Sequence, residues 1–84
     1  MEPTEIKKRI EQGIPRSHAE VEGADNHYTA VVVSPAFAGV TRIDQHRMIY
    51  SLFRDEMARQ EIHALALRTC TPEEWESERR GQTR

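Results

Sequence analysis

His18-Ala19-Glu20-Val21-Glu22-Gly23-Ala24-Asp25-Asn26-His27-Tyr28-Thr29-Ala30-Val31-Val32-Val33 is the stretch on which the reading of the fold turns. Residues 18–22 alternate polar side chains with Ala19 and Val21, the period of a half-buried strand. Residues 28–33 are rich in β-branched side chains and nearly all apolar, which predicts a central strand. Between them Gly23, Ala24, Asp25 and Asn26 read as a turn, because glycine, aspartate and asparagine accept left-handed backbone. Two strands joined by a short turn make a hairpin.

The flanking sequence supplies the helices that such a hairpin needs. Upstream, Ile6 and Ile10 recur at a spacing of four with Lys7, Lys8 and Arg9 between them, predicting an amphipathic helix over residues 4–12 that Gly13 and Pro15 end. Downstream, Ser34-Pro35 breaks the strand, and residues 36–40 have room for no more than one helical turn. The main helix follows. Asp44 is its expected N-cap, with Ile43 and Met48 spaced as a hydrophobic staple. Met48, Ile49, Leu52, Phe53 and Met57 form one apolar stripe, and Arg47, Arg54, Asp55 and Arg59 lie off it. Residues 62–69 read as a third strand. Thr71-Pro72-Glu73-Glu74 is a capping box with proline at the first helical position, opening a short helix that carries Trp75 and frays into residues 79–84.

The expected order is helix, strand, strand, helix, strand, helix: an α+β fold with a three-stranded sheet covered by its helices. At 84 residues the chain is read as a single domain over 1–84, with an ordered core at about 4–78 and a flexible tail. The longest apolar run, residues 30–33, is far short of the roughly 20 that span a bilayer, and no basic segment leads into an apolar one at the start. Cys70 is the one cysteine, so no internal disulfide forms. Both points predict a cytoplasmic protein. A formal charge of −2 offers no overall attraction to phosphate backbones, so nucleic-acid binding needs a local patch. No glycine-rich phosphate loop, nucleophile elbow or zinc-type histidine pair is present, and the carboxylates sit among lysines and arginines; the chain is read as a non-enzyme.

Several motifs in series carry a resemblance. His27-Tyr28-Thr29-Ala30-Val31-Val32-Val33-Ser34, Phe37-Ala38-Gly39, His46-Arg47-Met48-Ile49-Tyr50, His63-Ala64-Leu65-Ala66-Leu67 and Thr71-Pro72-Glu73-Glu74-Trp75 fall in the order and spacing of the BolA family. The resemblance covers nearly the whole chain. It implies a protein of the short acid-stress or iron-sulfur type, with a fold similar to the class II KH domain. It also implies partnership with a monothiol glutaredoxin, the two sharing a two-iron two-sulfur (2Fe-2S) cluster held by a glutaredoxin cysteine, glutathione and BolA-side ligands. Alone, the chain is expected to hold no cofactor.

His63 matches the family's histidine at the start of the third strand, and alternation places it on the side of Leu65 and Leu67. Neutral imidazole is an accepted iron ligand, as histidine replaces cysteine in Rieske-type centres. Many members carry a cysteine or histidine in the first hairpin loop where this chain has Ala24. His27 is the nearest substitute, and Asp25 is a harder oxygen donor less suited to such a centre. Either His27 is the second ligand or it is a solvated strand residue, with His63 acting alone.

His46 and Arg47 are placed in the first turn of the main helix, where a cation is mildly unfavourable to the helix dipole. That points to use in contacting a partner's acidic groups or glutathione carboxylates, against plain solvation. Cys70 reads as a packing residue of the last helix start, and His18 as solvent-facing. The alternative function is a DNA-binding regulator using Arg42, His46 and Arg47, with Arg79, Arg80 and Arg84. Against it, Asp44, Asp55 and Glu56 lie close by, and Gly39-Val40-Thr41-Arg42 lacks the second glycine of the KH clamp. Self-association of the chain into a homodimer is left open, and no membrane partner is expected.

Overall fold

In a computed structural model, which describes residues 1–82, the hairpin is tighter than a four-residue turn. Strand β1 (His18–Ala24) and strand β2 (His27–Val33) are joined by Asp25 and Asn26 alone. Both residues have positive φ, 55° and 65°, the pattern of a type I′ turn, whose twist matches that of paired strands. Ala24 therefore pairs with His27, and Gly23 lies inside β1 opposite Tyr28. Gly23 has φ 142°, and a Cβ there would meet the His27 carbonyl oxygen at 2.2 Å. Only glycine fits.

Before the hairpin stands helix α1 (Pro3–Gly13), one residue longer at each end than the isoleucine spacing predicts. After it come a 3-10 turn (Pro35–Phe37), helix α2 (Arg42–Tyr50), a second 3-10 turn (Ser51–Phe53) and the short helix α3 (Arg54–Ala58). Strand β3 (Ala64–Cys70) and helix α4 (Pro72–Gln82) follow. The predicted helix-strand-strand-helix-strand-helix order holds, with α2 and α3 as two halves of the main helix. The sheet order is β1-β2-β3, antiparallel between β1 and β2 and parallel between β2 and β3. A parallel neighbour needs a crossover connection, which α2 and α3 supply.

One sheet face is buried. Ala19, Tyr28, Ala30, Val32 and Leu65 pack there against Ile6 and Ile10 of α1, Ile49 of α2, and Phe37, Phe53 and Ile62. The other face leaves Glu20, Glu22, His27, Thr29, Ala64 and Ala66 exposed. Helices thus cover one face, and the Arg68 guanidinium lies 5.9 Å from the ring centroid of Trp75 on α4.

The main helix departs from expectation at both ends. Thr41, not Asp44, is the N-cap: its hydroxyl accepts from the Asp44 N–H at 3.2 Å. Asp44 then sits in the first turn, where its charge suits the dipole. Ile43 becomes a helical residue that is 66% exposed, so the expected staple with Met48 has no place at the cap. The apolar stripe is split at residues 51–53, where α1 crosses. Gly13 lies so close to Leu52 that a Cβ would stand 2.6 Å from its Cδ2, and Arg9 both donates to the Leu52 carbonyl at 3.3 Å and lies over the Phe53 ring. Ile49 and Phe53 reach the core, whereas Met48, Leu52 and Met57 are half-buried.

Gln45, buried on α2, ties the 3-10 segment to β3. Its amide donates to the Phe37 and Val40 carbonyls at 3.1 and 2.8 Å, and its carbonyl accepts from the Thr69 hydroxyl at 2.6 Å. Gln45→Leu keeps the volume and strands three polar groups, so a loss of about 2–3 kcal/mol is expected. A fall of roughly 10 °C in the thermal midpoint checks it.

Glu11 makes a similar clamp between α1 and β1, accepting from Lys7 Nζ at 2.8 Å and the Ala19 N–H at 3.0 Å. Lys7 first and the Ala19 N–H second hold its carboxyl below the usual carboxylate range. Arg9 does the same for Glu56, and the Thr71 N–H for Glu74. A depressed folded-state pKa contributes stability at neutral pH that is lost as pH falls through that lowered value. The urea midpoint is therefore expected to drop on acidification below the ordinary carboxylate range, and less steeply in Glu11→Gln.

At the C-terminal end the capping box forms as expected, with Thr71 N–H donating to Glu74 Oε1 at 2.7 Å and Glu74 N–H to Thr71 Oγ1 at 3.3 Å. Helix α4 continues to Gln82, past the expected limit of 78. Thr83 and Arg84, on which part of the expected flexible tail falls, lie outside the described residues. No helix among the described residues is long and apolar enough to cross a membrane.

Candidate metal-ligand and partner site

Parallel pairing of β2 with β3 brings the starts of both strands to one end of the sheet, with His27 in register with Ala64. His63 directly precedes β3. Its backbone N–H and that of Ala64 donate to the Asn26 carbonyl at 2.7 and 3.1 Å, so the hairpin turn holds the approach to the strand. The two imidazoles meet there, with ring centroids 5.3 Å apart and planes inclined by 35°. Both residues are exposed, and among the described residues neither ring makes a hydrogen bond.

That separation suits shared ligation. Two imidazoles on one tetrahedral metal, each bound at about 2 Å, have centroids about 5 Å apart. The expected placement of His63 beside Leu65 and Leu67 is corrected: Leu65 is buried, whereas the His63 ring is exposed and lies against His27. Alternation holds only within a strand, and His63 stands outside the ladder, aimed by the Asn26 carbonyl. Ala24 sits directly across from His27, and opposed residues of an antiparallel pair project from the same face. The imidazole thus occupies the side of the sheet on which a ligand at residue 24 would project. Among the described residues no cluster of three or more His, Cys, Asp or Glu could hold a metal ion.

The expected partner residues His46 and Arg47 are separated. With Thr41 as the cap they fall in the second turn, where the dipole argument loses its force. Adjacent helical residues project about 100° apart. His46 turns inward, edge-on to Tyr50 at 6.5 Å, with Nε2 buried and without a hydrogen-bond partner. It lines a cleft of about 240 Å³ between α2, β3 and α4 with Arg42, Arg68, Cys70, Glu74 and Glu78. Arg47 points outward, its side chain 75% exposed, onto a second groove with Tyr50, Arg54 and Met57. Arg54 was not singled out from sequence. The available signal was its place off the apolar stripe, seven residues beyond Arg47.

The cationic set Arg42, His46 and Arg47 is likewise divided. Arg42 and His46 share their cleft with two carboxylates, and Arg68 is paired with Glu78 there. Arg79 and Arg80 lie on α4, and Arg84 is outside the described residues. Cys70 is buried, and burial first and Glu78 second push its thiol pKa up, as suits a packing residue.

Fold and site together define a small α+β protein with one mixed three-stranded sheet and two imidazoles paired at one end of it. The model of the BolA-like protein family matches residues 4–74. The DNA-binding transcriptional regulator BolA of Escherichia coli K12 is 42% identical over 59 residues, 70% of this chain and 55% of that protein. A solved structure of a BolA homologue from Coxiella burnetii is 38% identical, with a TM-score of 0.78 over 90% of this chain and 97% of the other. The solution structure of yeast Fra2 is 31% identical, with a TM-score of 0.70 over 89% of this chain and 84% of the other. The chain belongs to the BolA-like family. It spans 58% and 55% of the first two curated relatives, the Haemophilus influenzae and E. coli BolA regulators.

Proposed function

We propose that this chain is a non-enzymatic, cytoplasmic partner of a monothiol glutaredoxin, contributing ligands to a shared 2Fe-2S cluster in iron-sulfur trafficking or sensing and in stress response. The observation that carries this reading is the His27–His63 ring pair, exposed, free of hydrogen bonds within the described residues and spaced for one metal. The cluster, when bound, supplies the redox-active iron. The chain supplies two imidazole donors at one end of the sheet, and imidazole in place of thiolate raises the potential of such centres. Glutathione and a glutaredoxin cysteine complete the set.

Anaerobic titration of the native chain into cluster-loaded monothiol glutaredoxin tests the reading by visible absorption and circular dichroism. A changed cluster spectrum and a complex of both proteins are expected. An unchanged spectrum without a complex overturns it.

A second reading, DNA-binding regulation through the KH-like fold, is favoured by the E. coli and H. influenzae relatives, which are named DNA-binding transcriptional regulators. Under it, duplex affinity falls steeply with salt and drops when Arg42 and Arg47 are neutralised.

A further inference from the structure

The groove opened by Arg47 has a composition of its own. It measures about 510 Å³ and is lined by Arg47, Tyr50, Ser51, Arg54 and Met57. Tyr50 has already committed its hydroxyl to the Leu65 carbonyl at 2.9 Å, and Ser51 its hydroxyl to the Met48 carbonyl at 2.8 Å. The Tyr50 ring and Met57 are left as an apolar floor. Arg54 is exposed and makes no ion pair or hydrogen bond among the described residues. Arg47 has only an exposed contact with Asp44 at 3.3 Å, of a kind worth little in water. Of the other nearby carboxylates, Glu56 is held by Arg9 at 2.6 Å and Arg59 at 3.9 Å, and Glu56 and Asp55 line an adjoining groove that Arg54 also borders, not the groove of Arg47 and Tyr50.

We propose that this groove seats an extended acidic segment of a partner protein, with two carboxylates bracketing an apolar side chain. Arg47 on α2 and Arg54 at the start of α3 are seven residues apart across the 3-10 turn, about 10–12 Å of rise. Carboxylates three residues apart on a polyproline II segment lie about 9 Å apart on one side, a span that two long arginine side chains can bracket. Guanidinium groups suit carboxylates in two-pronged hydrogen bonds. Tyr50 donates to the Leu65 carbonyl, two residues after His63, so the groove's floor is tied to the start of β3. This deepens the shared-cluster reading and rests on it for the partner's purpose, not for the groove's chemistry. A duplex is less suited, because the floor between the arginines is apolar.

The test uses the full chain and a fluorescein-labelled peptide carrying Glu-Pro-Leu-Glu between glycines, read by fluorescence anisotropy. Binding is expected, weakened about tenfold by Arg54→Gln and about as much when both peptide glutamates become glutamine, as for the loss of a charge-assisted contact. Arg16→Gln, at an exposed arginine between α1 and β1 that does not line the groove, is expected to leave affinity unchanged. Equal affinity of Arg54→Gln, equal affinity of the glutamine peptide, no binding, or displacement of the peptide by a DNA duplex each overturns the proposal. His63→Ala is expected to retain peptide binding. Loss of cluster chemistry with peptide binding intact, or the reverse, therefore tells the failure of one reading from that of the other.

Discussion

His63→Ala leaves the visible and circular dichroism spectra of cluster-loaded monothiol glutaredoxin as they were before mixing, whereas the native chain changes them. The expectation is all-or-none because the imidazole is the only part of His63 the fold does not use. Its ring is exposed and makes no hydrogen bond among the described residues, while its backbone N–H to Asn26 survives the substitution. Exposed positions of this kind change stability by no more than about 0.5 kcal/mol, so unchanged thermal unfolding accompanies the lost signal. His27→Ala removes the second donor of the pair and is expected to leave a weaker, more labile change, since His63, the position that matches the family's histidine, then remains. A spectrum that shifts with His63→Ala as it does with the native chain shows that the pair is not the ligand.

The second large effect is on the fold itself. Gly23→Ala forces a Cβ to 2.2 Å from the His27 carbonyl oxygen and 2.8 Å from the Tyr28 Cα, at a φ of 142° that side chains rarely adopt. Both obstacles are backbone atoms, so no side chain can swing aside. Backbone strain and the clash together are expected to cost about 3 kcal/mol or more, a large share of the 5–15 kcal/mol that holds a small domain together. A thermal midpoint lowered by more than about 12 °C checks this. Gly81→Ala is the control: nothing stands within 4 Å of its Cβ, and in a helix alanine is favoured by up to about 1 kcal/mol. Because the blocked atoms belong to His27 and Tyr28, the surviving folded fraction of Gly23→Ala also presents a displaced histidine. Equal stability of the Gly23 and Gly81 variants contradicts the close approach.

Much of this architecture is legible along the chain because its causes are local. Ile6 and Ile10 at helical spacing, the β-branched run of β2, the Ser34-Pro35 break and the Thr71-Glu74 capping box each depend on residues within one or two turns of each other, and each stands where expected. The motif series that marks the BolA-like family is local in the same sense. Where a local rule has two candidates, tertiary contact chooses. Thr41 caps α2 in place of Asp44, and α1 pressing on Leu52 and Phe53 divides a helix whose stripe is continuous in sequence.

The site is the part that lies beyond the reach of spacing. His27 and His63 are 36 residues apart, and only the parallel register of β2 with β3 and the double hydrogen bond to Asn26 bring their rings together. His46 and Arg47 are neighbours in sequence, yet the 100° step of the helix sends one into a cleft and the other to an open groove with Arg54. The sequence by itself determined the elements, their order and the family, because short-range propensity and patterning act within a few residues. Only the tertiary structure decided which histidines face each other and which arginine joins Arg47, because strand register and helix crossing set those distances across the whole chain.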